Sequence, residues 1–296
     1  MNESRNTRTA LVLGGGGSTG NAWLIGVVAG LHEAGLDVTD ADLIIGTSAG
    51  STAAAQITSA GTAELLAVTL APVAQRVTRP GSDAPRPSPV VDQLDRMKLI
   101  IAGSSDASDL RRRLCAAALA RDAESDGAWT SRWRSIVAPR LPQPDWPRQS
   151  VLITAVNAET SESAVFDGDS NVELVDAVAA STSSGLPYWI DGIPYLDGGF
   201  RTNAENADLA GGYDRVLVLS PFGGRSLVPQ EWGTHLSTQV DALRAGGSTV
   251  ETIFPPGESE HLFGPNGMDL SLRPAAARVG LEQGRADAER LAAFWR

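Results

Sequence analysis

The sequence is poor in cysteine, histidine and lysine, and it has no long apolar run. Cys115 is the only cysteine, so no intrachain disulfide can form, which suits a reducing compartment. The three histidines, His32, His235 and His261, are scattered, with no HExxH or paired His/Asp spacing, so no metal centre is expected. Lys98 is the only lysine, and 24 basic against 35 acidic residues give a formal net charge of −11. That balance lacks the basic footprint that nucleic acid requires, and it disfavours strong docking on anionic lipid while leaving transient membrane-surface contact open. No window approaches the roughly 20 apolar residues of a membrane span, and MNESRNTRTALVLGGGG lacks the apolar core of a secretory leader. The expectation is a cytoplasmic protein, peripheral at the membrane at most.

What the sequence has is glycine, 31 residues of it, and short apolar runs placed between helical patterns. TALVL (Thr9–Leu13) reads as a strand ended by four glycines, and Asn21–Ala34 has helical spacing with Gly35 as its C-cap. DLIIGTS is a second strand, followed by a helix of small residues in AGSTAAAQITSA. This strand–helix–strand–helix unit calls for a parallel sheet with a right-handed crossover. From about residue 72 to 148 the pattern changes to a Pro-rich loop, RPGSDAPRPSP, and helices, which reads as a helical insertion and a candidate cap. Strands resume at Ser150–Glu159 and Ser163–Phe166, expected as a hairpin, then at Arg215–Pro221 and Thr249–Phe254. VELVDAVAAST and Pro274–Arg296 read as helices. The fold class expected is an α/β/α three-layer sandwich with a mainly parallel central sheet, one domain over residues 1–296.

Three motifs carry chemistry. GGGGSTG (Gly14–Gly20) lies between a strand and a helix, where successive backbone N–H groups form an anion-binding concavity. Gly15, Gly17 and Gly20 have dinucleotide-site spacing, but the second strand ends in Gly46-Thr47-Ser48 without the carboxylate that would hold a ribose. No Gly-Lys-Ser/Thr ending makes a P-loop either, so the loop favours an oxyanion, and no cofactor is expected. Gly46-Thr47-Ser48-Ala49-Gly50 is a G-x-S-x-G set strand-then-helix, as a nucleophile elbow demands. An ordinary tight turn is the competing reading of that pentapeptide. Asp197-Gly198-Gly199 alone would be a turn.

Together and in this order, the three motifs resemble the patatin-like phospholipase family. The resemblance extends over about residues 9–70 and 150–220. It implies that Ser48 is the nucleophile, that Asp197 takes its proton without a histidine, and that Gly15, Gly16 and Gly17 donate to the tetrahedral oxyanion. Gly20, Gly46, Gly50, Gly198 and Gly199 complete the motifs. The implied activity is hydrolysis of a lipid acyl ester or a small ester. A buried carboxylate of raised pKa can act as a base near neutral pH, and each oxyanion donor is typically worth about 3 kcal/mol. Two positions depart from the family pattern: Thr19 stands where Arg or Lys is common, and Glu205 stands near a usual proline.

Two other readings are open on the sequence. One is an α/β-hydrolase triad of Ser48, Asp197 and His235 or His261, although only two strands precede Ser48. The other is a catalytically silent scaffold with a binding role, for which Thr19 is the main support. Arg111–Arg113 reads as a solvated helix face. Trp129 and Trp133, one turn apart, read as core or as an acyl slot, and LPYWIDG likewise. Oligomeric state is not legible.

Overall fold

The computed structural model describes residues 7–72 and 89–295. Nearly all of the Pro-rich loop expected at Arg79–Pro89 lies outside the described residues. The central sheet is built from β1 (Thr9–Leu13), β2 (Leu43–Gly46), β3 (Ser150–Asn157), β7 (Arg215–Leu219) and β8 (Thr249–Ile253), in the order β3-β2-β1-β7-β8 and all parallel. Strands β4 (Ser163–Phe166) and β6 (Ile193–Asp197) join β3 antiparallel, and β5 (Tyr188–Ile190) pairs with β6. The sheet is thus mostly parallel in a mixed α/β fold, as expected, and β3 and β4 form the expected hairpin.

Alternation along the strands feeds two cores. Leu11, Leu13, Ile44, Leu217 and Leu219 face helices α1 (Gly17–Glu33), α2 (Ala49–Ile57), α7 (Leu174–Ser181) and α9 (Arg273–Trp295). Ala10, Val12, Ile45, Val216 and Val218 face α8 (Leu236–Ala245) on the opposite side. Successive strand side chains point to opposite faces, so buried runs of this kind mark strands covered on both sides. Helix α3 (Thr62–Leu70) follows α2, and α4 (Pro89–Ala102), α5 (Ala107–Ala123) and α6 (Trp129–Val137) come between it and β3. No helix among the described residues is long and apolar enough to cross a membrane.

Helices α1 and α9 meet backbone to backbone through glycines on both. A Cβ on Gly26 or Gly30 would come within 2.2 Å of the Ala277 or Leu281 carbonyl oxygen. One on Gly280 or Gly284 would come within 2.3 Å of the Trp23 or Val27 carbonyl oxygen. The approach fixes α9 against α1, and so fixes the start of α9 beside the glycine loop from which α1 begins.

Candidate active site

The ladder of β3 explains why two distant motifs meet. Ile153 pairs with both Gly46 and Phe166, and Ala155 with both Ala164 and Asp197. A strand residue has two edges, so β2 and β6 share one edge of β3 while β4 takes the other. Strand β2 runs parallel to β3 and β6 antiparallel, so their C-terminal ends, Gly46 and Asp197, face each other two residues apart along β3.

Beyond β2 the chain turns sharply into α2. Ser48 sits at that turn with φ 53° and ψ −115°, a region that non-glycine residues enter only under strain of order 1–3 kcal/mol. The flanking glycines have no space for a side chain: a Cβ on Gly46 would lie 2.6 Å from Ser51 Cα, and one on Gly50 would lie 1.9 Å from the Leu13 carbonyl oxygen. The Ser48 amide donates to the Ser181 hydroxyl at 2.9 Å, which pins the turn from α7.

Asp197 ends β6 and is buried. The Ser48 hydroxyl donates to Asp197 Oδ2 at 2.8 Å, and the Gly199 amide donates to Oδ1 at 2.8 Å. Burial pushes the carboxyl up to about 6, against the lowering effect of these two bonds. Gly198 packs on Thr154, where a Cβ would lie 2.1 Å from the hydroxyl oxygen. Asn206, buried and left-handed at φ 55°, donates to the Gly198 carbonyl at 2.9 Å and to the Thr47 hydroxyl at 3.0 Å. The Thr47 and Thr154 hydroxyls are 2.9 Å apart. One buried polar cluster therefore ties the residue before Ser48 to the residue after Asp197.

The glycine loop corrects one expectation. The Gly15 amide donates to the Ala204 carbonyl at 2.8 Å and so is not free to hold an oxyanion. The Gly16 and Gly17 amides have no acceptor among the described residues, and both residues line the same cavity as Ser48 and Asp197. Gly17 has φ +66°, and Gly20 packs at 3.1 Å from Pro221 were it to carry a Cβ. Thr19 is fully buried, and its hydroxyl has no hydrogen-bond partner among the described residues. Glu205 is buried beneath the loop, accepts from the Ser220 hydroxyl at 2.6 Å, and is pushed up to about 7 by burial.

The cavity holds about 1440 Å³. Leu65, Leu110, Leu114 and Leu186 line it together with Trp129 and Trp133, whose rings stack at 5.1 Å. The two tryptophans thus serve both packing and cavity wall. Exposed Val68, Leu227, Met268 and Leu270 also border it. Neither histidine of the alternative triad touches Ser48 or Asp197: His235 bonds the Val228 carbonyl and His261 the Glu258 carbonyl. Of the arginine run, Arg112 and Arg113 pair with Asp109 at the surface, whereas Arg111 turns inward to the Ser161 and Arg201 carbonyls. Among the described residues, no group of three or more His, Cys, Asp or Glu is arranged to hold a metal ion. Ser181, Asn206 and Ser220 carry no motif that would single them out in the sequence.

A family model described as Patatin-like phospholipase matches residues 11–208, which include all three motifs. Among solved structures, VipD from Legionella pneumophila is similar at 13% identity and TM-score 0.41, over 94% of this chain and 67% of that one. The type III effector protein ExoU is similar at 17% identity and TM-score 0.36, over 94% of this chain and 54% of that one. The chain thus spans about two thirds and about half the length of these two proteins. No curated protein matches it.

Proposed function

The chain belongs to the patatin-like phospholipase family, and from that premise we propose that it is a serine acyl hydrolase of lipid acyl esters working through a Ser48–Asp197 dyad. The observation that carries the reading is the 2.8 Å hydrogen bond from Ser48 to a buried carboxylate pushed up to about 6. A base of that pKa is ionised at neutral pH, yet strong enough to take a hydroxyl proton as the bond to carbon forms.

In this mechanism Ser48 Oγ attacks the acyl carbon while its proton passes to Asp197 Oδ2. The carbonyl π pair moves to oxygen, and that oxyanion faces the free Gly16 and Gly17 amides at the start of α1, where the helix dipole adds to them. Collapse expels the alcohol, which leaves with the proton from Asp197 and leaves an acyl-Ser48 ester. Asp197 then takes a proton from water as the water oxygen attacks that ester. Collapse of the second tetrahedral species releases the carboxylic acid and returns the proton to Ser48.

The reading treats the chain as one patatin-like domain with the helices at about 72–148 as its insertion. It acts in the cytoplasm, in keeping with the lone thiol of Cys115, and touches the membrane only peripherally to reach its substrate. Intact-mass labelling with a fluorophosphonate tests it. One adduct is expected on the wild type and none on Ser48→Ala. No adduct on the folded wild type would instead favour a silent scaffold, the reading on whose side the unpartnered Thr19 hydroxyl stands.

A further inference from the structure

We propose that Arg140 and Arg273 form an anion-binding subsite beside the glycine loop, one that takes a phosphate group in the cavity of Ser48. The proposal rests on the acyl-ester reading for its biological meaning, but its test does not require turnover.

The argument begins with charge. The chain carries a net charge of −11, yet the cavity wall is rich in cations. Most of these are engaged: Lys98, Arg201 and Arg225 pair with Asp95, Asp208 and Glu260, and Arg111 and Arg121 donate to backbone carbonyls. Arg140 and Arg273 are different. Neither forms an ion pair among the described residues, although acidic residues outnumber basic ones in the sequence.

Arg140 follows α6, and its guanidinium lies over the Trp133 ring at 5.6 Å, with no hydrogen bond to any described residue. Its five N–H donors are therefore available to a ligand. Arg273 opens α9 and reaches back to the first turn of α1. Nη1 donates to the Ser18 carbonyl at 2.9 Å, the Ser18 hydroxyl at 3.1 Å and Asn21 Oδ1 at 3.2 Å, and Nη2 donates to the same Asn21 oxygen at 3.3 Å. These contacts use the end of the guanidinium and leave the Nε–H and second Nη2–H without a partner among the described residues. Those two N–H groups share one edge, the geometry that grips phosphate or carboxylate with two parallel bonds.

The two arginines also act on each other. Arg140 is exposed on the cavity wall, whereas Arg273 is half-buried; burial holds Arg273 below the usual guanidinium range, and like-charge repulsion from Arg140 lowers it further. Two like charges on one cavity wall, with no acidic partner among the described residues, repel each other, and an anion between them relieves that repulsion. The described carboxylates on the cavity wall do not fill that role: Glu260 is paired with Arg225, Glu205 bonds Ser220, Asp197 bonds Ser48, and Glu64 forms no ion pair among the described residues. The amides of Gly16 and Gly17, at the end of the same helix that Arg273 clasps, put the reacting carbonyl and the anion in neighbouring places.

Calorimetric titration of the Ser48→Ala protein tests the subsite without catalysis. The ligands are monohexanoyl glycerophosphate, uncharged monohexanoylglycerol, and inorganic phosphate. The glycerophosphate should bind at least about tenfold more tightly than its uncharged counterpart, as hydrogen bonds to a charged group imply. Arg140→Gln added to Ser48→Ala should abolish that preference; its guanidinium holds no hydrogen bond or ion pair among the described residues, and circular dichroism checks that losing its contact with Trp133 leaves the chain folded. Arg273→Gln should do the same, with circular dichroism confirming a folded chain, and Arg273→Lys should recover part of it. Tighter binding of the ester than of inorganic phosphate would identify a lipid headgroup as the source, and equal binding would identify free phosphate; both support the subsite. A preference that survives both glutamine variants, or no preference at all, would overturn it. Absence of fluorophosphonate labelling would defeat the hydrolase reading and leave this result standing.

Discussion

Asp197 divides its carboxylate between two donors, the Ser48 hydroxyl on Oδ2 and the Gly199 amide on Oδ1, each at 2.8 Å. The Gly199 bond fixes the plane of the carboxylate and leaves the other oxygen aimed at Ser48. Among the described residues no cation contributes to the state of Asp197, and burial is what raises its pKa. The pair is therefore poised by its surroundings and costs the fold something to keep.

That cost predicts the effect of Asp197→Asn on stability. A carboxyl raised in the folded state binds its proton more tightly there than in the unfolded chain. The wild type therefore loses stability as pH rises from about 4 to about 6. Asn keeps the acceptor for Gly199 and carries no charge. Urea unfolding at pH 8 should show Asp197→Asn more stable than wild type by up to about 3 kcal/mol, with the two converging near pH 4.

Glu205→Gln should behave likewise over a higher window. Glu205 is raised to about 7, so its destabilising charge develops between about pH 4.5 and 7. The amide retains an acceptor for the Ser220 hydroxyl. A melting temperature above wild type at pH 8, with the difference gone near pH 4.5, is the expected outcome of thermal scans.

Ser181→Ala removes the acceptor of the Ser48 amide and leaves that part-buried N–H unpaired at a strained turn. The loss should be about 1–3 kcal/mol. It should be divided between stability, read by denaturant unfolding, and turnover, with kcat/KM on a short-chain ester down about tenfold.

Gly284→Ala tests the contact of α1 with α9. A methyl group 2.3 Å from the Val27 carbonyl oxygen forces the two backbones apart. Unfolding free energy should fall by about 3 kcal/mol or more. Because Arg273 leads into the same helix, fluorophosphonate labelling of the folded fraction should slow as well.

The first strand–helix–strand–helix unit and the order of the motifs are legible because their signals are local: apolar runs, and glycines at fixed spacing. Helix α1 starts at Gly17 rather than at Asn21, since glycine's poor helix propensity hides a first turn that tertiary contacts hold. Strand β6, IPYLD, is short and contains a proline, so its pattern gives no strand, although it delivers Asp197. Gly15 differs from its neighbours only through a carbonyl at Ala204, far along the chain, which no local pattern reveals. Gly26, Gly30, Gly280 and Gly284 read as weak points within helices until the second helix is seen against the first. Arg140 and Arg273 lie outside every motif, and only the folded chain brings them to the cavity.

The most direct test is the pH dependence of fluorophosphonate labelling at Ser48, followed by intact mass in the wild type and in Asp197→Asn. The account predicts a rate that rises with pH through an inflection near 6 in the wild type, and a slow labelling without that inflection in the variant. A wild-type rate with no inflection near 6, or an Asp197→Asn protein that labels as fast as the wild type, would contradict it.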